Sequence, residues 1–316
     1  MRIRAAFSRL LCAALLAALT PLAASAGAWP LSPGQWSSEL SGARFSSDDY
    51  HDLQGTRTTM ARGGLLESRS LQWSNELGWK KNVSFAFTLP FDGVTRRLGN
   101  GSGATETGFG DLYAGFRWRL AGGSSSVVSL QADWKAPLGY SRLVGLTPAE
   151  IAALDATSLR GLSAGDSANY VRQAGRPRLG DGEQSFQGML VAGFPMPGLH
   201  AFLELGGGYR YYMQHVANQA LVSANFGIWL GPSLLATGRY RGEIAMGTGD
   251  TKADEVDRHL AGPEIRYRVD DGIDVFFGSW HTPKATSALH VDQFYAGITF
   301  KNTKLGRYQG TLGAKK

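Results

Sequence analysis

Between residues 71 and 91 the chain reads LQWSNELGWKKNVSFAFTLPF, and large apolar residues alternate with polar or small ones on both sides of Lys80-Lys81-Asn82. Successive side chains of a strand point to opposite faces. Leu71, Trp73, Leu77 and Trp79 therefore share one face, and Gln72, Ser74, Glu76 and Lys80 the other. On the second arm Val83, Phe85, Phe87, Leu89 and Phe91 oppose Ser84, Ala86 and Thr88. The pattern predicts a β-hairpin with one strongly apolar face. A soluble sandwich turns such a face inward and a membrane barrel turns it outward, so the hairpin by itself leaves both open.

The same alternation predicts strands over 36–45, 108–120, 127–136, 185–194, 199–212, 220–230, 233–244, 259–269, 273–280 and 291–301, about twelve in all with the two of the hairpin. Each approaches or exceeds the ~9–11 residues needed to cross a membrane at a tilt. Tight turns at 80–82, 121–125, 195–198, 231–232 and 270–272 alternate with mostly longer connections at 46–64, 92–107, 137–184, 213–218, 246–258 and 281–290. Short turns on one side and long loops on the other are the topology of an outer-membrane barrel. The expected fold is all-β, a transmembrane antiparallel up-and-down β-barrel of about twelve strands.

The chain ends bear on compartment. Arg2, Arg4 and Arg9 precede and flank an apolar run over 10–24 that closes on Ala24-Ser25-Ala26, which predicts a cleaved signal peptide over 1–26 and a mature start at Gly27. The single cysteine, Cys12, follows the bulky Leu11 and would leave with that peptide, so neither a lipid anchor nor a disulfide is expected. Removing three arginines reduces Lys+Arg from 32 to 29 against 26 acidic residues, a net +3, and the remaining balance gives no reason to expect nucleic acid. The barrel is expected over 27–303, with a basic tail over 304–316. Gly297-Ile298-Thr299-Phe300 is similar to the terminal-strand signal read by barrel-assembly machinery, although the chain does not stop on that phenylalanine.

Composition sharpens the face assignment. Eight Trp, 15 Phe and 11 Tyr coexist with a mean hydropathy of −0.16, as expected when polar residues line a barrel and apolar ones meet lipid. Trp36, Trp79, Phe91, Trp134 and Tyr211 lie toward strand ends, where an aromatic girdle would sit.

If the apolar set faces lipid, the other set lines the lumen. The candidates are Glu76, Asp111, Arg117, Arg119, Asp133, Lys135, Glu204, Arg210, Arg239, Arg241, Glu243, Glu264, Arg266, Arg268 and Asp274. Three Arg-x-Arg pairs, 117/119, 239/241 and 266/268, place two guanidiniums on one inner face. These charges either pair and fill the interior or line a selective path; their near balance leaves both readings open.

Thr147-Pro148-Ala149-Glu150 in the long connection is a capping box that predicts a short helix near 147–158, either a lid over the mouth or an external decoration. Catalytic signals are weak. The six histidines form no metal-binding helix pattern and there is no Gly-x-Ser-x-Gly elbow; Ser287 and His290 lie near the outer rim at an uninformative spacing. Gly99 to Gly103 lacks the lysine and helix of a phosphate loop, and Asp250, Asp254, Glu255 and Asp257 read as a solvated acidic loop. No enzymatic activity, cofactor or metal is expected.

Gly108-Phe109-Gly110-Asp111-Leu112, Lys135-Ala136-Pro137-Leu138-Gly139, Leu179-Gly180-Asp181-Gly182 and Leu205-Gly206-Gly207-Gly208-Tyr209-Arg210 together resemble the outer-membrane transporter family named after the meta-pathway of phenol degradation. The resemblance spans most of the mature chain through short, glycine-rich motifs. It implies a barrel that passes small, often aromatic or hydrophobic compounds, and transfers no binding residues. The expectation is an outer-membrane channel of a Gram-negative envelope, monomeric, with lipid, a small-molecule solute and the assembly machinery as partners. The competing expectation is a non-conducting barrel whose external loops serve adhesion or surface structure.

Overall fold

The structure, a computed structural model, describes residues 28–52, 54–60, 64–97, 103–123, 126–138, 179, 182–213, 216–247, 256–286 and 288–302. The expected signal peptide, the helix near 147–158 and the basic tail lie outside them.

Twelve staves form the barrel. They are β1 (Trp36–Ser47), β4 (Leu65–Lys80), β5 (Val83–Arg97), the broken stave β6 (Gly103–Phe109) and β7 (Asp111–Gly122), β8 (Val127–Pro137), β9 (Ser185–Met196), β10 (Ala201–Tyr212), β11 (Gln219–Trp229), β12 (Leu234–Ala245), β13 (Asp257–Arg268), β14 (Ile273–Thr286) and β16 (Asp292–Lys301). Sequential staves pair antiparallel, and β1 closes the ring against β16 in a register running from Ser37 opposite Lys301 to Phe45 opposite Gln293. Closure leaves no unpaired edge, the condition for a sheet to sit in lipid.

The faces are inverted relative to a water-soluble sheet. On β4, Leu71, Trp73, Leu77 and Trp79 are exposed while Gln72, Ser74 and Glu76 are buried. The same inversion puts Phe85, Phe87 and Phe91 of β5, Trp118 of β7, Phe186 and Leu190 of β9 and Phe294 and Phe300 of β16 outside. An apolar exterior around a polar interior defines a membrane β-barrel. The expected girdle residues Trp36, Trp79, Phe91, Trp134 and Tyr211 are all exposed.

Three differences from the sequence expectation concern the long-loop end. Residues 92–97 and 103–107, read as loop, are strand, because β5 and β6 continue past the rim with Arg97 opposite Gly103. The stave expected over 108–120 breaks at Gly110, whose missing side chain admits the Asp92 carboxyl and the Leu179 carbonyl; a Cβ there would lie 2.4 and 2.9 Å from those oxygens. The connections over 46–64 and 281–290 contain β2 (Asp49–His51), β3 (Arg57–Thr59) and β15 (Ala288–Leu289), which pair into a separate three-stranded sheet. That sheet caps the mouth. Its Tyr50 and Leu289 join Met60, Phe45, Leu66, Val94, Leu179 and Val291 in one buried apolar cluster.

At the opposite end the turns are short. Asn82 takes φ 72° in the β4–β5 turn, a left-handed conformation that asparagine tolerates better than most residues.

Candidate functional site: the barrel interior

All fifteen lumen candidates stand on the inward-facing side of their strands, and the structure draws most of them into five charge clusters. Near the short-turn end Arg117 Nη1 lies 3.3 Å from Glu76 Oε2, and Ser84 donates to Glu76 Oε1 at 2.5 Å. Lys135 faces Asp111 at 3.5 Å and stands over the Tyr212 ring. Glu243 is shared by three guanidiniums: Arg210 at 3.2 Å, Arg241 at 2.7 Å and Arg258 in direct contact. Glu264 takes Arg239 at 3.0 Å and Arg266 at 3.3 Å, and Arg266 also reaches Glu39 at 3.3 Å. Asp274 holds Lys301 directly and Arg268 at 3.9 Å.

The remaining candidates have other surroundings. Asp133 accepts a hydrogen bond from Gln187 at 3.0 Å, and Glu204 accepts from Asn225 at 2.9 Å. The Nε of Arg119 is buried and has no hydrogen-bond partner among the described residues. Removing one member of a buried pair costs ~3–5 kcal/mol, so these contacts hold the side chains in fixed positions.

The clusters recruit residues outside the candidate set. Glu39 was legible, since Leu40 beside it is on the opposite face. Arg258 precedes the expected start of its strand at 259, and Lys301 is the last residue of β16. Gln187 and Asn225 lack charge and gave no signal.

One wall is aromatic. Leu260, Phe276, Trp280 and Tyr295 pack together on the inner face of β13, β14 and β16. Arg239 lies 4.4 Å from the Trp280 ring centre and 5.0 Å from that of Tyr295, and Arg266 lies 4.4 Å from that of Phe276. Guanidiniums held by carboxylates thus stack on the rings of this wall.

The N-terminal segment crosses the interior at the short-turn end. Gly34 donates to the Gly78 carbonyl, fixing one end of the segment beside β4. Leu31 N–H donates to Glu76 on β4 at 3.4 Å, whereas Ala28 N–H donates to Glu204 on β10 at 2.7 Å and the Ala28 carbonyl accepts from Ser129 of β8. β4 and β10 are five staves apart around the ring, so residues 28–35 form a crossbar. Trp29 packs edge-on against Phe202, and Gly193 leaves the room it occupies: a Cβ at 193 would lie 2.7 Å from the indole.

The cap carries the other titratable group of note. His51 donates from Nδ1 to the Gly55 carbonyl at 3.2 Å, which leaves its Nε2 to accept from His290 Nδ1, also at 3.2 Å. Burial, the Arg57 guanidinium and His51 push the His290 imidazole below its ordinary value, against the opposing pull of Asp292 and Asp49. Among the described residues no group of three or more His, Cys, Asp or Glu is placed to hold a metal ion.

The chain matches no protein family and no curated protein. Among solved structures, an outer membrane channel from Pseudomonas putida F1 shares the fold with a TM-score of 0.64 at 11% identity, over 86% of this chain and 96% of that one. The NanC porin aligns at a TM-score of 0.47 and 6% identity, over 82% and 98%, and the KdgM porin at 0.44 and 5%, over 83% and 98%.

Proposed function

We propose that the protein is an outer-membrane channel for passive uptake of small molecules, aromatic and hydrophobic ones among them, and that it rests closed. The observation that carries this is the aromatic wall of Phe276, Trp280 and Tyr295, against which Arg239 and Arg266 are held by Glu264. A barrel stabilised only by charge pairing has no need of stacked rings facing its own axis. The shared fold with an outer membrane channel supports the same reading.

The closed state is supported at both ends. The crossbar spans the short-turn end, which this reading makes periplasmic, and the apolar cap fills part of the external mouth. The five clusters of ion pairs favour the competing reading, a barrel that never conducts. Uptake of a radiolabelled small aromatic acid and of a monosaccharide into proteoliposomes separates the two. Entry of the aromatic solute above protein-free liposomes supports the channel, and entry of neither solute overturns it.

A further inference from the structure

Three polar side chains form a hydrogen-bonded line on the outer wall of the barrel. Ser279 Oγ lies 3.1 Å from His281 Nε2, and His281 Nδ1 lies 2.8 Å from Asp292 Oδ1. Ser279 and His281 alternate with the buried Trp280 and continue the outward series of Val275 and Phe277, and Asp292 is the register partner of His281 on β16. An ionised carboxylate only accepts hydrogen bonds, so Nδ1 carries the imidazole proton, Nε2 is bare, and the Ser279 hydroxyl donates to it. That tautomer is the one a general base requires.

We propose that Ser279, His281 and Asp292 hydrolyse carboxylic esters of membrane lipid. This goes beyond the channel reading and does not depend on it. His281 lies eight residues along β14 from Ile273; at ~3.3 Å per residue and ~40° tilt it stands about 20 Å above the short-turn end, in the outer leaflet. Phe277 and Phe294 flank the serine and are 62% and 66% exposed, whereas Ser279 is 7% exposed. A hydroxyl set low between two exposed rings suits an unbranched acyl chain better than a bulky ester. The second carboxylate oxygen of Asp292 faces His290 Nε2 at 3.6 Å, which ties the group to the cap.

In the acylation step Ser279 Oγ bonds to the carbonyl carbon as its proton passes to His281 Nε2. The ester C–O bond then breaks and the leaving alcohol takes that proton. Water, deprotonated by His281, attacks the acyl-serine and releases the fatty acid, restoring the hydroxyl. Asp292 is a positioning residue that holds the tautomer and offsets the imidazolium charge.

The test uses the refolded chain in phosphatidylethanolamine vesicles, with p-nitrophenyl butyrate and laurate as soluble probes and a fluorophosphonate as a covalent one. The expected result is fatty-acid release from the vesicles, reduced at least ~10²-fold in Ser279→Ala and His281→Ala. The fluorophosphonate adds to Ser279 of the wild type, which needs no variant to fold. Asp292→Asn lowers kcat on p-nitrophenyl laurate while KM is unchanged. Absence of both release and adduct, or a rate unchanged in Ser279→Ala, overturns the proposal. Cleavage of the butyrate ester without vesicle lipid overturns the lipid assignment.

Discussion

Trp29 meets Phe202 edge to face, with ring centroids 6.3 Å apart and planes at 88°, inside the barrel and beside Ala28, which is fully buried. Edge-to-face pairs contribute ~0.5–1.5 kcal/mol beyond the area they bury. Together with the hydrogen bonds of Ala28 and Leu31, the pair fastens a segment with no regular secondary structure across the lumen.

Trp29→Ala removes the ring and is expected to loosen the crossbar without disturbing strand pairing. Hydrogen exchange over residues 28–32 should accelerate by at least ~10-fold, the equivalent of ~1.4 kcal/mol, while the strand amides keep their protection. Unchanged exchange in the segment would show that the ring does not hold it.

Gly193→Val attacks the same contact from the wall. Its Cβ would fall 2.7 Å from the Trp29 ring and 2.8 Å from the Ala28 Cβ, closer than either can sit. The segment should leave its place and become open to protease from the short-turn end. Gly188, on the same strand, has nothing within 4 Å of its added Cβ and serves as the control.

Glu243→Gln leaves Arg210, Arg241 and Arg258 around a neutral amide. Breaking a buried cluster in this way costs ~3–5 kcal/mol. The variant should unfold at a lower urea concentration by the heat-modifiable shift of the barrel on gels. Replacing Asp49, whose Arg57 partner is half-exposed, should change that midpoint little.

The cap should weaken in acid. The His290 imidazole is depressed in the folded chain, so the neutral ring is favoured by folding; that contribution is present above the ordinary histidine value near 6.5 and is lost as pH falls through the lower folded value. Burial is the main cause, and Arg57 and His51 add to it against Asp292 and Asp49. Hydrogen exchange at Asp49–His51 and Arg57–Thr59 should therefore speed up, relative to the barrel strands, on going from pH 7 to pH 5.

Much of the barrel was legible because a strand has a period of two. Once Leu71, Trp73 and Leu77 were assigned to lipid, Gln72, Ser74 and Glu76 had to face inward, and a slip of one residue would have inverted every stave. Stave ends were less legible. β14 continues to Thr286, but its pairing with β13 shifts between His281, opposite Ala261, and Lys284, opposite His259, so the alternation breaks just after His281. Those two residues were therefore divided between a strand and a loop, while Ser287 and His290 drew attention instead.

Which inward charges pair with which had no sequence signal. Arg210, Arg241 and Arg258 come from three different strands and converge on Glu243 only through the register and curvature of the closed sheet. The crossbar was equally silent. Ala28 to Gln35 has no period, and its anchors Glu204 and Ser129 are distant in sequence.

The central claim, a channel closed at rest by the crossbar, is tested most directly by planar-bilayer conductance of the refolded barrel with and without residues 28–32. The account predicts rare or small openings for the intact chain and a larger, persistent conductance after the deletion. A deleted barrel that folds, inserts and carries no current would contradict it.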